Sequence, residues 1–69
     1  MRLKVDLESD ALYFRISEDE IEGSEEVRPG IIVDCTKSGK IVGVEILGLK
    51  EKFSLEELSN IKVDLPTGA

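Results

Sequence analysis

The sequence predicts an α+β fold, a small antiparallel β-sheet built from hairpins with one short C-terminal helix. Three observations carry that reading. Residues 2–7 alternate polar and apolar with Leu3, Val5 and Leu7 on one side, the period-2 signature of a half-buried strand. The β-branched run Ile31-Ile32-Val33 leads through the turn residues Lys37-Ser38-Gly39-Lys40 into Ile41-Val42-Gly43-Val44-Glu45-Ile46-Leu47, the clearest hairpin in the chain. Ser54-Leu55-Glu56-Glu57 matches a capping box, so a short helix starts at Leu55 and ends by Asn60.

The remaining elements fit between these. Glu8-Ser9-Asp10 favours a turn, and Leu12, Phe14 and Ile16 then share one strand face while Tyr13 and Arg15 share the other, a face suited to cover by something else. Residues 18–26 hold six acidic side chains in nine positions around Gly23-Ser24, and repulsion with turn chemistry predicts an exposed loop. Pro29 and Gly30 then allow a turn or bulge. Val42, Val44 and Ile46 form the core side of their strand. Ile61-Lys62-Val63-Asp64-Leu65 alternates again and predicts a last strand, stopped by Pro66 and Gly68. Four or five strands result.

With 69 residues the chain reads as a single domain, 1–69, because a chain this short buries only about 60% of its unfolded surface and cannot divide that core. The core is thin and aliphatic, with Tyr13, Phe14 and Phe53 as its large rings. Cys35 is the one cysteine and there is no histidine, which leaves association, by default a homodimer, as the usual remaining source of stability. A net charge of −6 with scattered Lys and Arg argues against nucleic acid. No apolar run nears the roughly 18 residues that cross a bilayer, and the start is not a signal peptide, so a cytoplasmic protein off the membrane is expected.

Chemistry has few carriers here. Cys35 has no histidine to activate it, a serine triad fails for the same reason, and no glycine spacing suggests a phosphate loop, so the chain reads as non-enzymatic and without cofactor. Asp6, Asp10, Asp34 and Glu45 are the carboxylates that two hairpins could gather around a divalent cation or a shared proton. Against that, Asp6, Asp10 and Asp34 sit where aspartates cap turns, and Glu45 is placed for a cross-strand ion pair with Arg15 or a lysine. Glu18, Asp19, Glu20, Glu22, Glu25 and Glu26 form a strip that could dock a basic protein, or a solvated loop.

The runs Asp6-Leu7-Glu8-Ser9-Asp10-Ala11-Leu12-Tyr13-Phe14-Arg15-Ile16-Ser17, Pro29-Gly30-Ile31-Ile32-Val33-Asp34 and Gly39-Lys40-Ile41-Val42-Gly43-Val44-Glu45-Ile46-Leu47, in that order, resemble the YuzE-like small proteins, a family of unknown function. The resemblance covers roughly residues 2 to 50 and departs from the family at Gly48-Leu49-Lys50. It implies no activity. Because some relatives are regarded as antitoxins encoded beside small toxin-like proteins, it implies an antitoxin-like partner role, in which the acidic strip would meet the basic face of an RNA-cleaving toxin. The expectation is therefore a non-catalytic protein-interaction domain that binds a small basic protein near Tyr13, Arg15 and the acidic strip. Two alternatives stay open: a divalent-metal-binding or enzymatic subunit using the four carboxylates, and a purely structural homo-oligomer.

Overall fold

Strands β1 (Arg2–Asp6) and β2 (Ala11–Arg15) form an antiparallel hairpin in the computed structural model, which describes residues 1–67. The turn is fixed by its acids. The Asp6 carboxylate accepts from the amides of Glu8 and Ser9, both at 3.1 Å, and Asp10 takes the left-handed backbone, φ 55°, that short polar side chains tolerate. β3 (Gly23–Arg28), β4 (Ile31–Cys35) and β5 (Ile41–Leu47) follow as a meander, and β5 returns beside β2. The result is one five-stranded antiparallel sheet in the order β1-β2-β5-β4-β3.

Residues 16–22 cross the end of the sheet from β2 to β3. The amides of Ile16 and Ser17 both donate to the Val42 carbonyl, at 2.7 and 3.1 Å, and that of Glu22 to the Cys35 carbonyl at 2.9 Å. After the sheet come two short helices, α1 (Leu49–Lys52) and α2 (Leu55–Ser59). The expected capping box is present: Ser54 Oγ accepts from the Glu57 amide at 3.1 Å, and Glu57 returns a carboxylate oxygen to the Ser54 amide at 2.9 Å. Helix α1 was not expected. Its start is tied to the first hairpin, since the Leu49 and Lys50 amides donate to the Asp10 carbonyl and carboxylate, a contact between segments 40 residues apart that no local pattern announces.

Three other expectations are corrected. The acidic stretch 18–26 is not all loop, because Gly23–Arg28 is an edge strand with every residue exposed. Tertiary pairing with β4 overrides weak β-propensity there, and carboxylates on an edge stay solvated while discouraging edge-to-edge aggregation. The alternating segment 61–65 is not a strand: alternation alone does not make one, a neighbour to pair with is also required, and Val63 and Leu65 are exposed. The stop expected at Gly68 lies outside the described residues. The aromatic rings are not a common core either, since Phe14 and Phe53 are exposed and Tyr13 lies on the opposite sheet face from Phe14.

The register divides the sheet into two faces. Leu3, Phe14, Val44 and Val33 make one row of the apolar face, and Val5, Leu12, Ile46 and Ile31 the next. Only Val42 and Leu49 are buried hydrophobics among the described residues. Among those residues no helix is long and apolar enough to cross a membrane.

Candidate functional site

The opposite face is polar, and the register aligns it in two rows. Arg2, Arg15, Gly43, Asp34 and Ser24 follow one another across the five strands, and Lys4, Tyr13, Glu45, Ile32 and Glu26 form the parallel row. The face is electrically polarised, with cations on β1 and β2, carboxylates on β5, β4 and β3. A shallow cleft of about 490 Å³ at the cationic side is bounded by Arg2, Leu3, Lys4, Tyr13 and Arg15.

Towards the middle of the polar face lies Asp34, which is 3% exposed and accepts from Ser24 Oγ at 2.6 Å. Gly43 makes room for the Tyr13 ring: a β-carbon there would stand 2.6 Å from Tyr13 Oη and 2.9 Å from two ring carbons. The Tyr13 hydroxyl is shielded from solvent with no hydrogen-bond partner. Burial raises its pKa, and the Asp34 charge raises it further. Arg15, beside it in the cleft, is anchored to two carbonyls, Nε donating to that of Ser17 at 2.8 Å and Nη2 to that of Asp19 at 3.0 Å.

Glu45 corrects another expectation. It stands opposite Tyr13 and Ile32 and forms no ion pair with Arg15 or a lysine. Burial raises its pKa, and hydrogen bonding with and repulsion from Asp34 raise it further. The folded chain binds the Glu45 proton more tightly than the unfolded chain does. Stability from this group is therefore lost as pH rises from the ordinary glutamate value of 4.5 through the raised one. Glu45→Gln is expected to raise the urea midpoint at pH 7 and to match the wild type below about pH 4, where both states are protonated. An unchanged or lower midpoint at pH 7 would refute this account of the pair.

The other acidic candidates are dispersed. The Asp6 pKa is lowered by the Ser9 amide and hydroxyl, and Asp10 is bound to Lys50 in the α1 turn, so neither joins Asp34 and Glu45. Among the described residues no group of three or more His, Cys, Asp or Glu is arranged to hold a metal ion. Arg2 and Arg15 both reach Glu18, and Lys40 Nζ donates to Asp19 at 2.7 Å, which lowers the Asp19 pKa. Glu20, Glu22, Glu25 and Glu26 are exposed and have no ion-pair partner among the described residues. Sequence reasoning missed Ser24 and Gly43. A glycine inside an otherwise β-branched strand signals a close approach, but the link from Ser24 to Asp34 needs the β3 register.

These features define a small, single-sheet β protein with a polarised polar face and an incompletely covered apolar one. The chain belongs to the family described as protein of unknown function (DUF2283), whose model matches residues 2–50, the five strands and the start of α1. The search of curated proteins gave no match, and the search of solved structures gave none.

Proposed function

We propose that this chain is a non-catalytic protein-interaction domain that engages a small basic protein along the acidic edge formed by β3 and residues 18–22, in the manner of an antitoxin. One observation carries the reading: Glu18 and Asp19 are neutralised within the chain, whereas Glu20, Glu22, Glu25 and Glu26 project from an edge strand and its approach without counter-charges among the described residues. Solvated carboxylates at an open sheet edge attract a cationic partner at long range and leave main-chain groups for strand addition. The cationic side of the polar face, at β1, would repel the same partner and so orient it.

The four carboxylates of the alternative metal-binding reading are not gathered: the amides of Glu8 and Ser9 engage Asp6, and that of Lys50 engages Asp10. The experiment is co-expression with the product of the adjacent gene, followed by mass-resolved size exclusion. A stable hetero-complex is expected for the wild type and loss of most of it for Glu25→Lys/Glu26→Lys. Absence of any complex, or one indifferent to the charge reversal, would remove the support for the acidic edge.

A further inference from the structure

We propose that the apolar face, with the groove between the sheet and α2, is covered by a second copy of this chain. The groove, about 310 Å³, is lined by Leu3, Leu12, Ile46, Phe53, Leu58 and Ile61 together with Glu57. It is bounded by residues that stay substantially exposed: Leu3 45%, Phe53 38%, Ile61 44%. Helix α2 forms one wall but buries none of its own residues, so the second layer that a sheet needs is only begun.

The surface area points to how much is left uncovered. A compact monomer of 7.6 kDa exposes about 4,300 Å² by the scaling of folded chains, whereas this protomer exposes 5468 Å². The excess, about 1,200 Å², is spread over the whole chain, including the irregular segment 61–67, and is of the order of the roughly 800 Å² per partner that a stable interface buries. Its radius of gyration, 13.6 Å, likewise exceeds the about 11 Å of a compact chain of 69 residues. The protomer is a slab of 38 × 37 × 19 Å, and two slabs stacked on the broad face would measure about 38 Å in the third direction, a nearly isotropic body.

The chemistry of the groove selects a like partner. Its one ionisable side chain, Glu57, is held by the capping box, one carboxylate oxygen accepting from the Ser54 amide, and every other lining side chain is aliphatic or aromatic. An apolar face is best matched by another of equal polarity, and an isologous two-fold contact supplies it. This surface is separate from the acidic edge, so the dimer does not depend on the proposed basic partner.

The test is sedimentation velocity on the full chain at micromolar concentration, with far-UV circular dichroism of each variant. The wild type is expected at about 15 kDa, twice 7.6 kDa. Leu3→Glu and Ile61→Asp should each give monomers with the wild-type sheet signal, while Lys4→Glu on the opposite face and Glu25→Lys/Glu26→Lys remain dimeric. Ile61 lies outside every strand and helix, so its variant decides the matter even if Leu3→Glu unfolds. A monomeric wild type, or a dimer that survives Ile61→Asp, overturns the proposal.

Discussion

Gly43→Ala is expected to destabilise the fold by about 1–3 kcal/mol, the usual cost of forcing an extra methyl into a filled site. The added carbon would lie 2.6 Å from Tyr13 Oη and 2.9 Å from Cε1 and Cζ, and a rigid ring cannot yield at its tip without swinging as a whole. β5 is the central strand, paired with both β2 and β4, so the displacement is felt across the sheet. Tyr13 also stands beside Glu45 and near Asp34, and moving its ring rehydrates that carboxyl pair. Urea unfolding measures the loss, and a double-mutant cycle with Tyr13→Ala assigns it: the cost of Gly43→Ala should shrink to a few tenths of a kcal/mol when the ring is gone. An equal cost in both backgrounds would mean that the ring is not what Gly43 accommodates.

Ser24→Ala should cost about 1.5–3 kcal/mol, the range for a hydrogen bond to a charged group, because Asp34 is buried and Ser24 Oγ is its one side-chain donor among the described residues. The effect should be concentrated. β3 is an edge strand held to the sheet by β4 alone, and its register is already interrupted between Glu26 and Arg28. Hydrogen exchange of the β3 and β4 amides should accelerate well before that of β1 and β2. Since β3 carries Glu25 and Glu26, the same substitution should weaken binding of a basic partner without touching a charge. A urea midpoint within experimental scatter of the wild type would show that the 2.6 Å contact contributes nothing.

The hairpins were legible because their signals are local. Leu3, Val5, Leu12 and the Val42, Val44, Ile46 series encode strand faces by alternation, and Ser54 with Glu57 encodes the α2 start within four residues. What stayed hidden depends on partners distant in sequence. β3 is a strand because β4 offers it a ladder, and residues 61–65 are not because nothing offers them one. Helix α1 starts against Asp10, 40 residues away. The candidate site was half visible. Tyr13, Arg15, Asp34 and Glu45 were all singled out, but the expected Glu45 ion pair gave way to a carboxyl pair because the register sets Glu45 opposite Tyr13 and Ile32 instead of a cation. Of the six acids in the strip, Glu18 and Asp19 are satisfied by Arg2, Arg15 and Lys40, contacts that only the crossing of residues 16–22 over the sheet end creates.

The most direct test of the acidic edge as a binding surface is calorimetric titration of the purified chain with the product of the adjacent gene, at low and at high salt. The account predicts saturable binding that weakens steeply as salt rises, with a shallower salt dependence and lower affinity for Glu25→Lys/Glu26→Lys. Binding that is insensitive to both salt and charge reversal, or no binding at low salt, would contradict it.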